Sequence, residues 1–163
     1  LDLLLKMGAD ISVVNPRTQS GEPVGDLKVR ASRLHGIAIG AEMVPKTIDE
    51  FPILCVAAAL AEGETRISGA KELRVKETDR IHAMATELQR LNVSLEEKAD
   101  GLVIHGQSSL KGGVCRSYGD HRVAMSLAVA GLAADSELSV DEVSCIETSF
   151  PGFHDKLLDL LTK

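Results

Sequence analysis

The sequence predicts an α/β (α+β) domain made of repeated units, with buried helices at the centre and strands outside them. Two segments, Phe51–Ala61 and Val123–Ala134, are apolar on nearly every side and rich in small residues, as in helices that are covered all round. A tight polar turn, a short strand and a second helix follow each of them. About 70 residues separate Asp49 from Asp120 and Glu77 from Glu147, which indicates an internal repeat.

The repeat divides the chain into one complete and two partial units. Residues 1–35 would end a first unit, 36–106 would form a full unit and 107–163 would begin a third. Because the chain begins within a helix that ends near Gly8, we expect a fragment of a longer protein. The predicted elements besides the two buried helices are strands Ile11–Val14 and Leu27–Ala31 around a loop at Pro16–Val24, strand Thr65–Ser68, an amphipathic helix of about four turns with its stripe from Ile81 to Leu91, strands Val93–Glu96 and Leu102–His105 around a turn at Asp100-Gly101, strand Leu138–Val140 and helix Phe153–Leu161.

Composition narrows the possible functions. The chain has 163 residues and a net charge of −6, which argues against a general nucleic-acid surface. Aromatic residues make up only 2%, so platforms for stacking bases are nearly absent. No apolar run approaches the length of a membrane span, and three dispersed cysteines fit a reduced, cytoplasmic protein. The histidines and cysteines show no metal-ligand spacing.

The segment Arg74–Arg80 places five charges directly before an apolar helical stripe. We expect these charges to occupy the first turn, where free backbone N–H groups already favour anions. Lys76 and Arg80 would then lie one turn apart on the same face and form an anion pocket, and Glu77 beside them would be a candidate proton-transfer group. The alternative is a network of salt bridges at a helix start.

Charged residues also stand at the starts of the two buried helices. Thr47 and Glu50 have the spacing of a capping box, with Asp49 between them. Asp120 is the natural cap of the second helix, but His121 and Arg122 add positive charge where the helix dipole is already positive. An anion bound there would explain this choice. The alternative is a salt bridge from Arg122 to Asp120 or to a neighbouring carboxylate.

If the repeat is real, equivalent helix starts face the same side of the domain. Asp49, the group around Glu77 and the pair His121-Arg122 would then meet in one cleft. Cations together with two acids suit a substrate that carries carboxylate and phosphate, with proton transfer at a hydroxyl or a carbon.

Four segments carry a resemblance to a known family. Arg74–Arg80 and Asp120–Met125 strongly resemble the two C-terminal signature segments of the 5-enolpyruvylshikimate-3-phosphate synthases. Val44–Pro52 resembles the segment with that family's catalytic aspartate, and Thr148–Pro151 resembles its C-terminal motif. The segments occur in the family's order and the likeness covers nearly the whole chain.

The resemblance implies a two-domain enzyme in which each domain contains three βαβαββ units, an inside-out α/β barrel of the enolpyruvyl transferase type. This chain, 1–163, would be most of the C-terminal domain. The implied reaction, a step of aromatic amino acid (chorismate) biosynthesis, transfers the enolpyruvyl group of phosphoenolpyruvate to the 5-hydroxyl of shikimate 3-phosphate and releases phosphate. It needs no metal or organic cofactor, and glyphosate inhibits the family at the phosphoenolpyruvate site.

The resemblance also implies roles for single residues. Asp49 resembles the acceptor of the 5-hydroxyl proton and a shikimate ligand, and Glu77 resembles the acid that protonates the methylene carbon of phosphoenolpyruvate. Lys76 resembles a ligand of shikimate 3-phosphate. Two arginines resemble the clamp on phosphoenolpyruvate, with a histidine beside them: Arg80, Arg122 and His121.

One position departs from the family pattern. Many members have a Lys where this chain has Thr148. The absence of this Lys resembles a divergent branch of the family, which includes forms that glyphosate inhibits less, so we predict no cation there. The rest of the phosphoenolpyruvate site and most shikimate 3-phosphate contacts would belong to the missing N-terminal domain of a monomeric enzyme, and the fragment alone would be inactive. The alternatives are a related transferase acting on UDP-N-acetylglucosamine and a non-catalytic structural module.

Overall fold

The computed structural model describes residues 1–161 as an α/β domain. Its helices are α1 (Asp2–Lys6), α2 (Val44–Thr47), α3 (Phe51–Ala59), α4 (Arg80–Arg90), α5 (His121–Ala130) and α6 (Phe153–Leu161). Its strands are β1 (Asp10–Gln19), β2 (Glu22–Arg30), β3 (Ala38–Ile39), β4 (Glu64–Ile67), β5 (Ser94–Lys98), β6 (Gly101–His105), β7 (Gly113–Arg116) and β8 (Leu138–Asp141). Short 3₁₀ helices lie at Lys71–Val75, Gly131–Ala133 and Val143–Thr148.

The strands form three small sheets. β1 and β2 form an antiparallel hairpin, the order β3-β4-β6-β5 makes a four-stranded sheet, and β7 pairs in parallel with β8. β3 is also parallel to β4, and α3 lies in the connection between them, as α5 does between β7 and β8. α3 contacts both α4 and α5. The starts of these three helices are therefore fixed relative to one another by a shared core.

The core is aliphatic, as the shortage of aromatic residues requires. In α3, Cys55, Ala58 and Ala59 have no exposed surface, and in α5 the same is true of Val123 and Leu127. Small side chains let the helices approach closely. Because the core is apolar, most of its contribution to stability comes from burial of apolar surface. Burial raises the pKa of the Cys55 thiol far above its usual value, so this cysteine stays protonated.

Most predicted elements are present, but their ends differ. The two buried helices are shorter than predicted: α3 ends at Ala59, and α5 begins at His121, ends at Ala130 and continues as a 3₁₀ turn. α4 has three turns rather than four. The hairpin turn is Ala99-Asp100, because Gly101 already pairs with Lys98. β3 and β7 were not predicted from the sequence.

The predicted loop at Pro16–Val24 is wrong. β1 and β2 run through it and turn only at Ser20 and Gly21, which both have positive φ angles (53° and 85°). Pro16 lies where the register of the β1–β2 pairing shifts, between Val14 and Arg17. Such an irregularity tolerates a residue that has no N–H to donate.

The predicted capping box at the start of α3 is also wrong. Thr47 ends α2, and its hydroxyl donates to the carbonyl oxygen of Met43 at 2.9 Å. Glu50 is the N-cap of α3 but makes no side-chain capping bond. The extra helix α2 turns the chain before α3 begins, so Thr47 cannot reach the N-terminal N–H groups of α3.

Thr65 provides a test of the core. Its side chain is buried on β4, and within residues 1–161 its hydroxyl is the buried side-chain group without a hydrogen-bond partner. An unpaired buried hydroxyl is unfavourable, so Thr65→Val is expected to raise the free energy of unfolding by about 1 kcal/mol. Urea denaturation followed by circular dichroism measures this. Thr18→Val on exposed β1 is the control and should change little; an equal or lower stability for Thr65→Val would contradict the expectation.

Candidate active site

Arg80 is the centre of a charged group at the starts of three helices. Its side chain is 1% exposed, and each nitrogen of its guanidinium group donates to a different carboxylate. Nε lies 2.8 Å from Oδ2 of Asp120, Nη2 2.8 Å from Oε2 of Glu77, and Nη1 3.4 Å from Oδ1 of Asp49. A buried guanidinium group is tolerated only when it is paired in this way.

Arg122 supplies a second guanidinium group beside the first. Its Nη2 lies 3.2 Å from Oδ2 of Asp49, and its Nη1 donates to the backbone carbonyl oxygen of the same residue at 3.1 Å. Glu50 is a more distant partner at 3.9 Å. Asp49 therefore links both arginines, and we call Asp49, Glu77, Arg80, Asp120 and Arg122 the arginine cluster.

The local structure explains these positions. Asp49 lies in the turn between α2 and α3, and Glu77 lies in the loop just before α4. Arg80 is the first residue of α4, and Asp120 caps α5 through Oδ1, which accepts from the backbone N–H groups of Arg122 and Val123 at 2.9 and 3.3 Å. The other oxygen of this carboxylate binds Arg80, so one buried side chain joins α4 to α5.

Exposure divides the cluster into an inner and an outer part. Arg80 and Asp120 are buried, whereas Asp49 and Glu77 are each about half exposed (49% and 50%) and Arg122 is one-third exposed. Burial by itself would lower the pKa of Arg80, but the hydrogen bond and charge of Asp120, with Glu77 and Asp49, raise it overall. The inner pair is therefore fixed, while the outer acids and Arg122 are accessible to a ligand.

The predicted pairing of Lys76 with Arg80 on one helical face is wrong. α4 begins only at Arg80, because Asp79 caps it by accepting from the N–H of His82 at 2.9 Å. Lys76 lies in the loop before the helix and forms an ion pair with Glu72 at 3.1 Å. The charges of residues 74–79 are therefore not in the first turn of α4.

Arg74, at the start of the same charged segment, has a structural role. Its guanidinium group forms ion pairs with Asp79 and Glu97 and donates to the carbonyl oxygens of Lys98 and Ala99. For this part of the segment, the alternative of a salt-bridge network at a helix start is therefore correct.

His121 and Thr148 also have defined positions. His121 is the first residue of α5 and is partly buried. Thr148 ends a 3₁₀ helix, and its hydroxyl donates to the carbonyl oxygen of Cys145 at 2.7 Å. For Arg122, the alternative of a salt bridge to a neighbouring carboxylate is correct, but the partners are Asp49 and Glu50 rather than Asp120.

Asp120 was predicted only as a helix cap, and its bond to Arg80 was not predicted. A cap needs only one carboxylate oxygen, and a fully buried carboxylate must bind with the other as well. The available signal was the position of Asp120 directly before a helix predicted to be buried.

The cluster combines charges that suit proton transfer and anion binding. Its two guanidinium groups meet three carboxylates, those of Asp49, Glu77 and Asp120, and Glu50 lies beside it at 3.9 Å from Arg122. An anionic ligand would have to displace carboxylates from the arginines, and the acids released would be free to exchange protons. Within residues 1–161, no three His, Cys, Asp or Glu side chains form a group that could hold a metal ion, and none of the helices is long and apolar enough to cross a membrane.

Fold and site together define an α/β domain in which the starts of three helices bring arginines and acids into contact. Residues 1–157 match the family model of EPSP synthase (3-phosphoshikimate 1-carboxyvinyltransferase). The chain therefore belongs to the EPSP synthase family.

Individual relatives agree with this. The chain is 56% identical over 153 residues to the 3-phosphoshikimate 1-carboxyvinyltransferase of Citrifermentans bemidjiense, covering 94% of this chain and 36% of the relative. It is 46% identical over its whole length to that of Desulforamulus reducens, and covers 38% of that protein. A solved structure of EPSP synthase from Acinetobacter baumannii superimposes with a TM-score of 0.92 at 40% identity, over 97% of this chain and 37% of that one. The chain thus spans little more than a third of its relatives' length.

Proposed function

We propose that this chain is most of the C-terminal domain of a protein that transfers the enolpyruvyl group of phosphoenolpyruvate to the 5-hydroxyl of shikimate 3-phosphate. The observation that carries the proposal is the arginine cluster, in which accessible acids are held by two guanidinium groups at the starts of three helices. Matches to relatives named for this reaction support it.

The reaction needs three proton transfers, two in an addition and one in an elimination. In the addition, the 5-hydroxyl oxygen bonds to C2 of phosphoenolpyruvate and loses its proton, while C3 gains one. In the elimination, the resulting tetrahedral intermediate loses a proton from C3, the double bond between C2 and C3 re-forms, and the C2–O bond to phosphate breaks. Asp49 would accept the hydroxyl proton. Glu77, in its carboxylic acid form, would donate a proton to C3 and take one back in the elimination, since both acids lie at the accessible side of the cluster.

The cations would bind the anionic groups. Arg122 is partly exposed and can exchange Asp49 or Glu50 for the carboxylate or phosphate of phosphoenolpyruvate. Arg80 would offer the nitrogens that now hold the two outer acids, while its Nε keeps Asp120. His121 would lie beside this clamp, and Lys76 would leave Glu72 to bind shikimate 3-phosphate.

The order of elements supports the proposed repeat. Residues 36–106 contain β3, α2 with α3, β4, α4, β5 and β6, which is a βαβαββ order if α2 and α3 count as one helical segment. Residues 107–163 begin in the same way with β7, α5, β8 and α6, and 1–35 would be the end of a preceding unit. Central helices with sheets outside them are consistent with an inside-out barrel domain.

We further propose that the remainder of the protein covers surfaces that this chain leaves open. The chain exposes 9208 Å², whereas a folded monomer of its mass exposes ~7,900 Å². Val13, Leu27 and Val29 lie on one face of the β1–β2 hairpin and are each more than half exposed. An N-terminal domain would also bring cations to a cluster in which carboxylates outnumber arginines. The complete enzyme would be a cytoplasmic monomer that does not bind nucleic acid.

The test is a steady-state phosphate-release assay. The full-length protein is expected to turn over phosphoenolpyruvate with shikimate 3-phosphate, whereas the 163-residue chain should show no turnover. Arg122→Ala should lower kcat/KM of the full-length protein about 100-fold or more, because it removes a charge that pairs with the substrate. Lys28→Ala, at an exposed position of β2, is the matched control and should leave activity unchanged.

Other outcomes would contradict the proposal in distinct ways. Turnover with UDP-N-acetylglucosamine in place of shikimate 3-phosphate would assign a different acceptor. Full activity of Lys76→Ala, Arg80→Ala and Arg122→Ala would mean that this part of the protein is a non-catalytic module. Turnover by the isolated chain would show that it contains the whole site.

A further inference from the structure

Glu87 is a buried carboxylate that the proposed reaction does not use. It lies in α4 with no exposed surface, and its two oxygens accept from different groups. Oε1 lies 2.7 Å from the hydroxyl of Tyr118, and Oε2 accepts from the backbone N–H of Arg116 at 3.1 Å. Its ion-pair partner Arg90, at 3.4 Å, is half exposed. Burying a carboxylate is costly, so these bonds must matter to the fold or to the site.

Both groups that Glu87 holds belong to the turn that leads into α5. This turn, residues 116–120, joins β7 to the cap Asp120. Arg80 and Glu87 are seven residues apart on α4, two turns along the same face. One helix therefore holds the turn at both ends: Arg80 at Asp120, and Glu87 at Arg116 and Tyr118.

The turn has a backbone that needs such support. Tyr118 has φ 57° and Gly119 has φ 71°, so two successive residues are in the left-handed region. A side chain as large as tyrosine adopts this conformation at a cost of about 1 kcal/mol or more. Ser117 adds two bonds of its own, from its hydroxyl to the carbonyl oxygen of Glu142 and from the N–H of Gly119 to its hydroxyl, both at 3.0 Å. The hydrogen bond to Glu87 keeps Tyr118 in place.

We propose that Glu87 is a positioning residue for the arginine cluster. By holding Arg116 and Tyr118 it fixes the turn. The position of the turn then determines where Asp120 caps α5 and whether Arg122 can reach Asp49. This inference rests on the proposed function only for its kinetic consequence; its structural consequence stands without it.

The chemistry of the site explains why a side chain with two hydrogen-bonding ends is present. Both oxygens of Glu87 accept a hydrogen bond, one from the Tyr118 hydroxyl and one from the Arg116 N–H. A leucine has no acceptor, so Glu87→Leu would leave both donors without a partner and should displace the turn. A glutamine can satisfy both groups, because its oxygen can accept from the Arg116 N–H while its NH₂ donates to the hydroxyl oxygen of Tyr118. Glu87→Gln should therefore keep the turn in place.

The experiment compares Glu87→Leu with the conservative Glu87→Gln in the full-length protein. Glu87→Leu is expected to raise KM for phosphoenolpyruvate about tenfold, the effect of one lost hydrogen bond to a charged group. KM for shikimate 3-phosphate should change less, and Glu87→Gln should leave both KM values close to those of the unmodified protein. Ala85→Gly on α4 is the matched control: it lowers helix stability without touching the turn, so it should leave both KM values unchanged.

A crystal structure of the Glu87→Leu protein tests the structural part independently. We expect the turn to shift, with loss of the 3.1 Å contact from Arg122 to the carbonyl oxygen of Asp49. The inference would be overturned if the turn in this variant does not move. It would also be overturned if the variant lowers only Vmax, in proportion to its loss of thermal stability, as Ala85→Gly does. Absence of turnover in the unmodified full-length protein would instead reject the proposed function and leave the crystallographic test to decide the role of Glu87.

Discussion

Replacing Arg80 with methionine is expected to destabilise the full-length protein by about 3–5 kcal/mol and to abolish turnover. The loss of stability follows from burial: Asp120 would keep its charge in the core but lose the partner that lies 2.8 Å from it. The loss of activity follows because Arg80 also holds Glu77 and Asp49, the two proposed proton-transfer groups. Thermal or urea unfolding and the phosphate-release assay measure the two effects separately.

A second substitution separates the structural part of this effect from the chemical part. Asp120→Asn, added to Arg80→Met, removes the stranded charge but keeps an oxygen that can cap α5. The double variant should therefore regain part of the stability and none of the activity. Arg66→Met is the surface control, since its ion pair with Glu64 is well exposed and contributes little. An Arg80→Met protein with normal stability and activity would show that the buried bonds are unimportant.

Glu77→Gln is expected to lower kcat about 10²- to 10⁴-fold, the range that one general acid or base contributes. The amide has the same shape and can still accept from Arg80, but it cannot donate a proton to C3 of phosphoenolpyruvate. Glu77 is half exposed, so stability should change little. Steady-state kinetics should show the decrease in kcat with KM values nearly unchanged.

The control for this substitution lies in the adjacent 3₁₀ helix. Glu72 is also exposed and also paired with a cation, but it is not part of the arginine cluster, so Glu72→Gln should affect kcat far less. The assignment between the two acids can be checked by comparing deuterium incorporation into the methylene group of phosphoenolpyruvate. If Asp49→Asn slows incorporation and Glu77→Gln does not, the two proposed roles are reversed.

The long elements of the fold could be predicted from the sequence. α3 and α5 were found because their apolar residues continue on all sides, and α4 because Ile81, Met84 and Leu88 recur at helical spacing. The bounds of α6 agree with the prediction. β3 was missed because it has only two residues, too few for a period to be recognised. β7 is as long as β4 and β8, but it begins with a glycine and only one of its four residues is buried, so no alternation is visible. Their position depends on pairing with β4 and β8.

The candidate site was predictable to the same extent. Sequence patterns placed Asp49, Arg80 and Arg122 at or near helix starts and predicted that they would meet, and the structure brings them together. The patterns failed for Lys76, because continuous helix was assumed where Asp79 caps α4 only three residues later. A cap is decided by which donor the side chain reaches, and sequence spacing alone permits more than one choice.

The amino-acid sequence by itself determined which segments become central helices, which charged residues lie at their starts, and to which family the chain is similar. Tertiary structure alone decided that Arg80 is buried and that its two closest carboxylates are those of Asp120 and Glu77. It also decided that Glu87 holds the turn before α5. Local patterns depend on neighbours within a few residues along the chain. The partners of the buried Arg80 lie far from it along the chain: Asp49 is 31 residues away and Asp120 is 40 residues away. Only the packing of α3, α4 and α5 against one another brings them within hydrogen-bond distance.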